Sequence, residues 1–225
     1  MFSAVSVALG HRRIRSATVV VIALLAGSLA ACGTTISTGG GSTEPAPLPV
    51  EDPSAPMPAP GTCTIRHEAG GPLPDPHCTP GAINPAVTQA TIGTTICRSG
   101  WTATVRPPSS VTGRMKKQSD LSYGLPTSTT GEYDHLISLE LGGAPDDPRN
   151  LWVEPGSIPN PKDTIENRLA DAVCAGLIPL VTAQQAIARD WVSALEDTGL
   201  ATTGGKLCLR AEPTHCANGR HNGTE

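Results

Sequence analysis

Apolar positions along the chain fall into short runs with two different spacings. Over positions 85–96, Val87, Ile92 and Ile96 can share one helical face, and Asn84-Pro85 supplies a capping residue followed by the proline that suits a first helical turn. Arg106-Pro107-Pro108 interrupts the chain, after which Ser109 or Ser110 can cap a second helix running to about 121. Positions 133–139 make the best strand in the sequence, Gly142-Gly143 is its exit, and 151–153 reads as a short return strand. Asn160-Pro161 repeats the cap-plus-proline signal. It predicts a helix over 161–175, stopped by Gly176, with Ile165, Leu169, Ala172 and Val173 as its inner stripe. A last helix is predicted after Thr182, carrying Ala183, Ile187, Trp191 and Leu195 on one face, and beyond Gly199 the pattern predicts loop. The expected fold class is α+β, mostly short helices around a small strand–strand–helix unit.

The N-terminal part of the chain carries a different pattern. His11-Arg12-Arg13-Ile14-Arg15 is basic, and 17–29 is an apolar run too short to span a bilayer comfortably. The run ends in Leu29-Ala30-Ala31-Cys32-Gly33, which resembles a bacterial lipobox. That resemblance implies a signal over 1–32 and a lipidated Cys32 as the first residue of the mature protein; a plain secretory signal is the alternative. On either reading the chain is exported, anchored by lipid to the outer face of the cell membrane or secreted, with no transmembrane domain in the mature protein. Positions 33–61 are rich in Gly, Ser, Thr and Pro, with seven prolines between Pro45 and Pro60. Such a composition predicts a disordered tether, leaving one domain over 62–216 and a frayed tail over 217–225.

Composition changes the picture in two ways. Aromatic residues are only 3% of the chain, so the core has to be built from Val, Ile, Leu and Ala. Apart from Cys32, six cysteines remain: Cys63, Cys78, Cys97, Cys174, Cys208 and Cys216. An even number in an exported chain predicts disulfide staples, with Cys208 and Cys216 close enough to close a local loop. Cys63, His67, His77 and Cys78 fit no standard zinc spacing. Removing Arg12, Arg13 and Arg15 with the signal leaves 13 basic and 20 acidic residues, a net charge of −7, which disfavours polyanions. The exception is 98–119, where Arg98, Arg106, Arg114, Lys116 and Lys117 occur without an acid. Arg106, Arg114, Lys116, Lys117, Arg149 and Lys162 are the candidate nucleic-acid contacts, a solvated helix face being the alternative for the first four.

The chemistry centres on Asp134-His135, followed by Leu-Ile-Ser-Leu-Glu-Leu, Gly142-Gly143 and then Asn150-Leu151-Trp152. Adjacent residues of a strand point to opposite faces, so Asp134 and His135 can share a site only at a bulge, a strong twist or a strand end. The pattern D-H-x-I-x-L-x-x-G-G-x(6)-N-L-W resembles the HNH, or His-Me finger, endonucleases, departing from their commonest form at Ser138, where that form has proline. The runs C-T-P-G-A-I-N-P-A-V-T-Q, T-I-C-R-S-G-W-T and K-D-x-x-E-N extend the likeness to secreted bacterial HNH-type proteins over roughly half the chain. The resemblance implies a ββα-metal fold and DNA as a partner. It implies His135 as general base, Asp134 as ligand of a divalent ion, and Asn150 as a catalytic-site residue that braces the loop and helps to orient the histidine or, as in some relatives, touches the metal. Oxygen ligands favour Mg²⁺ or Mn²⁺ over Zn²⁺. Asp163, Glu166 and Asn167 are the candidates for the further ligand on the helix. For Asp163 the alternative is helix N-terminal charge stabilisation, and for the other two a solvated surface.

Two functions follow as alternatives: a metal-dependent endonuclease at the outer cell surface, or a non-catalytic envelope lipoprotein that keeps the HNH scaffold as a binding module. If the lipobox is used, the protein fractionates with membranes and Cys32→Ala is released or misprocessed. A Cys32→Ala protein that remains membrane-bound like its parent contradicts the anchor.

Overall fold

The computed structural model describes residues 46–217, except Ala69 and Ser128. The signal, the lipobox Cys32, positions 33–45 of the tether and 218–225 of the tail lie outside the described residues. In chain order the elements are β1 (Arg66–Glu68), β2 (Gly71–Leu73), α1 (Trp101–Val105), α2 (Ser109–Ser122), β3 (Gly131–His135), β4 (Leu151–Pro155), α3 (Lys162–Cys174), α4 (Leu180–Arg189), α5 (Ala194–Asp197), β5 (Leu200–Thr203), β6 (Lys206–Leu209) and β7 (Cys216–Ala217). The strands form three small antiparallel sheets, β1-β2, β3-β4 and β5-β6-β7. Short helices and small antiparallel sheets are therefore the architecture, as the hydrophobic pattern predicts.

The main core is aliphatic. Leu169, Ala172 and Val173 of α3 pack with Ala183 and Ile187 of α4, and with Ile137, Leu141 and Leu200. A second cluster joins Tyr123 and Trp152 to Cys63 and Cys78. Three disulfides staple these parts: Cys63–Cys78, Cys97–Cys174 and Cys208–Cys216. Cys97–Cys174 ties the 92–97 turn to the end of α3, and Cys208–Cys216 joins a register pair of β6 and β7. Three such bonds belong to an oxidising compartment. No helix among the described residues is long and apolar enough to cross a membrane.

Five local expectations are corrected by the structure. Positions 85–96 form turns and a short 3₁₀ segment (Ile92–Thr94) instead of a helix. Threonine hydroxyls take the backbone groups: Thr91 Oγ1 donates to the Ala86 carbonyl at 2.8 Å and accepts the Thr88 N–H at 2.8 Å. Val87 and Ile96 are nevertheless buried. The strand predicted over 133–139 ends at His135, because Ile137 N–H bonds the Asn150 side chain instead of a strand partner. The last helix breaks at Asp190, whose extended backbone (φ −161°, ψ 103°) takes Trp191 off the helix; the indole donates to the Pro72 carbonyl at 2.9 Å.

The remaining two corrections concern the ends. The chain beyond Gly199 forms β5-β6-β7 in place of loop, with Leu200, Leu207 and Ala217 buried. Positions 46–61, expected in a disordered tether, are packed on the domain. Ile83 N–H donates to the Pro49 carbonyl and Glu51 N–H to the Ile83 carbonyl, both at 2.9 Å. Asp52 N–H meets Asp147 Oδ2 at 2.7 Å, and Ser122 Oγ donates to the Pro58 carbonyl at 2.6 Å. Prolines lower the entropy lost on docking, and Ile83, Asp147 and Ser122 supply the partners that composition does not reveal.

Gly143 is the most closely enclosed glycine among the described residues: a Cβ there would lie 1.8 Å from the Ile137 carbonyl oxygen and 2.8 Å from Asn150 Nδ2. Gly113 in α2 meets nothing within 4 Å. Gly143→Ala is expected to cost about 3 kcal/mol and Gly113→Ala to stabilise by about 1 kcal/mol, both measured by chemical denaturation.

Candidate active site

The site is built where β3 ends. Asp134 pairs with Trp152 and His135 with Leu151 in regular antiparallel register, so no bulge is involved. Because His135 is the last strand residue, both it and Asp134 reach one cleft, as the strand-end alternative requires. The cleft has a volume of about 1170 Å³. It is lined by Glu132, Asp134 and His135, by Ser138, Leu139 and Glu140 after the strand, by Asp163, Glu166 and Asn167 of α3, by α1 with Arg106-Pro107, and by the Ile158-Pro159 loop. The helix candidates Asp163, Glu166 and Asn167 are thus brought to the same cavity as Asp134.

Asn150 sets the loop that follows the strand. It is fully buried; its Nδ2 donates to the carbonyls of Ile137 (3.0 Å) and Ala144 (2.9 Å), and its Oδ1 accepts the Ile137 N–H at 3.0 Å. Asn150 does not line the cleft; its carboxamide braces the loop. The chain turns through Leu139–Leu141 and Gly142, whose φ of 72° suits glycine, and then brings the Pro145 carbonyl beneath His135. Ser138 holds φ −61°, the angle that a proline would impose.

His135 is buried, and its Nε2 lies 2.8 Å from the Pro145 carbonyl oxygen. A carbonyl only accepts, so Nε2 carries the proton and Nδ1 of the neutral ring keeps the lone pair. Burial lowers the His135 pKa from its ordinary 6.5, against the opposing pull of Asp134 and the Pro145 carbonyl. The ring is therefore neutral near pH 7.

Below the cleft lies a charged cluster. Lys162 is fully buried, and its Nζ reaches Asp134 Oδ2 at 2.6 Å, the His135 carbonyl at 2.7 Å and Glu166 Oε1. Its backbone N–H is capped by Asn160 Oδ1 at 2.8 Å, while Asn160 Nδ2 donates to Glu132 Oε2 at 2.9 Å. Burial works against the Lys162 ammonium, but Asp134, Glu166 and Glu154 together hold its pKa above the usual lysine value. Glu154 is pushed up to about 8 by burial and by Asp134, with Lys162 pulling the other way. Burial likewise raises Glu132 and Glu166.

The candidate nucleic-acid contacts separate. Arg106 is exposed and lines the cleft, and Arg114 and Lys117 are exposed on α2. Lys116 is half-buried, donating to the Gly131 carbonyl at 2.9 Å. Lys162 is corrected, since it has no exposed surface; Arg149 pairs with Asp147 through Nε (3.0 Å) and Nη2 (2.6 Å) while donating to the Val50 carbonyl. Sequence reasoning missed Glu132, Glu154 and the Pro145 carbonyl. The first two were legible as residues alternating with Asp134 and Trp152 on one face of the hairpin; nothing in the sequence marks a backbone carbonyl.

Among the described residues no three His, Cys, Asp or Glu side chains are placed to hold an ion. Asp134, Asp163, Glu166 and Asn167 bring hard oxygen donors to one wall, which suits a hydrated Mg²⁺ or Mn²⁺ resting on one or two carboxylates and does not suit Zn²⁺. Comparison with family models, curated proteins and solved structures returned no match.

Glu154 gives a pH prediction with a definite sign. Its folded pKa lies above its ordinary 4.5, so its contribution to stability is full below 4.5 and is lost as pH rises through about 8. Thermal unfolding of the wild type should weaken between pH 6 and pH 9 more steeply than that of Glu154→Gln; parallel curves would contradict this.

Proposed function

We propose that this protein is a cation-assisted phosphodiesterase of the HNH, or His-Me finger, type, acting on DNA outside the cytoplasm and held at the cell surface through a lipidated Cys32. The observation that carries this reading is His135: a buried, neutral imidazole whose Nε2–H is fixed on the Pro145 carbonyl, beside carboxylates in an open cleft. Three further features support it. β3, β4 and α3 follow one another as strand, strand and helix, Asn150 braces the intervening loop, and Ser138 keeps the backbone angle of the family's proline. The disulfides agree with an exported protein.

In this mechanism His135 Nδ1 takes a proton from water as the water oxygen bonds to phosphorus and the opposite P–O bond breaks. Asp134, with Asp163 or Asn167, would hold Mg²⁺ or Mn²⁺, which when bound offsets charge on the leaving oxygen. The residues themselves explain why a cation is called for: Asp134 and Asp163 on the lining repel a phosphate, while burial favours the neutral form of Glu132 and Glu166. Arg106, which also lines the cleft, and Arg114 and Lys117 on α2 supply positive charge for a polyanion.

A second reading, a binding module that keeps the scaffold without the reaction, is favoured by one observation. Asp134 and Glu166 are both engaged by Lys162. A plasmid-nicking assay separates the two. Under the first reading the wild type nicks DNA with Mg²⁺ or Mn²⁺ and stops on chelation, and folded His135→Ala is slower by ~10²–10⁴-fold. The activity should fall with acid only below the ordinary histidine value of 6.5, because the folded pKa is lowered. No nicking by well-folded wild type across divalent ions leaves the binding module.

A further inference from the structure

Lys162 is the one buried position of α3 where packing alone would ask for an apolar side chain and the sequence places a cation. Of the other buried residues of this helix, Leu169, Ala170, Ala172 and Val173 are apolar and Asp171 is an acid. The Lys162 ammonium has three protons and meets three oxygens: Asp134 Oδ2 at 2.6 Å, the His135 carbonyl at 2.7 Å and Glu166 Oε1. These acceptors come from two elements, the end of β3 and the second turn of α3. Two are carboxylates whose side chains are 13% and 14% exposed and line the cleft, while the lysine side chain has no exposure at all. An ammonium buried this completely persists only when every proton is paired. Three oxygens converging on one point, two of them from carboxylates, are also what a hard-cation position consists of.

We propose that Lys162 Nζ is the resident cation of the site, filling a three-oxygen cation position formed by Asp134, Glu166 and the His135 carbonyl. It is a positioning residue, because it never reaches the cleft. It locks the His135 peptide and the Asp134 carboxylate to α3, and it competes with soluble divalent ions for those same oxygens. The proposal rests on the cation-assisted reading of the cleft given above. It also accounts for how the Asp134 and Glu166 carboxylates can lie close together.

The test uses purified wild type, Lys162→Ala, which empties the position, and Lys162→Met, which fills it without charge. Mn²⁺ binding is followed by electron paramagnetic resonance, and folding by circular dichroism and thermal unfolding with and without Mn²⁺. Lys162→Ala is expected to bind Mn²⁺ at least about tenfold more tightly than wild type, since the competing charge is gone. Mn²⁺ should raise its unfolding temperature, and should restore its spectrum if it is unfolded in chelator, whereas Lys162→Met gains neither. Adding Asp134→Asn to Lys162→Ala should abolish the gain. If wild type binds Mn²⁺ and Lys162→Ala binds no more tightly, or if Ala and Met variants respond alike, the resident-cation proposal fails while the cation-assisted reading stands. If neither wild type nor Lys162→Ala binds Mn²⁺, both fail.

Discussion

The carboxamide of Asn150 is the constraint on which the site depends. Buried without exposure, it closes hydrogen bonds to both backbone groups of Ile137 and to the Ala144 carbonyl, so the turn after β3 has one conformation. That conformation ends the strand at His135 and delivers the Pro145 carbonyl to the imidazole. Gly143 is required because a side chain there would enter the space the amide and the Ile137 carbonyl occupy. An asparagine, a glycine pair and a histidine within the 135–150 stretch thus act as one unit: polar satisfaction in the interior fixes a tautomer at the surface of a cleft.

The second determinant is electrostatic. More carboxyl groups gather around the buried Lys162 than it can balance, and burial raises the pKa of Glu132, Glu154 and Glu166. Asn160 links the two halves of this cluster, since one end of its amide caps α3 and the other binds Glu132. Helix start, strand face and site charge are therefore coupled through a single side chain. The arrangement suits a hard cation more than a bare phosphate, which is the ground for assigning a cation to the proposed reaction.

Much of the site was legible in the sequence because its signals are local. Asp134-His135, Gly142-Gly143 and the Asn160-Pro161 start each carry their own physical reason, and the structure brings Asp134, His135, Asp163, Glu166 and Asn167 to one cleft. What was not legible depends on partners distant in the chain. The docking of 46–61 rests on Ile83, Asp147 and Ser122, which no composition can announce. Lys162 reads as a surface cation in the sequence because its acceptors Asp134 and the His135 carbonyl lie on a distant strand. The helix that failed over 85–96 did so because threonine hydroxyls competed for its backbone, a signal present in Thr88, Thr91 and Thr95 and outweighed in the reading by the cap. The final sheet was missed because its strands are short, although Gly204-Gly205 marks its first turn.

The proposed reaction turns on the protonation state of His135, which nitrogen-15 NMR of the imidazole measures directly. A neutral ring with the proton on Nε2 and the lone pair on Nδ1 is expected at pH 7, persisting as the pH is lowered through 6.5, the ordinary histidine value. A proton on Nδ1 in the neutral ring, or an imidazolium at pH 7, would contradict it.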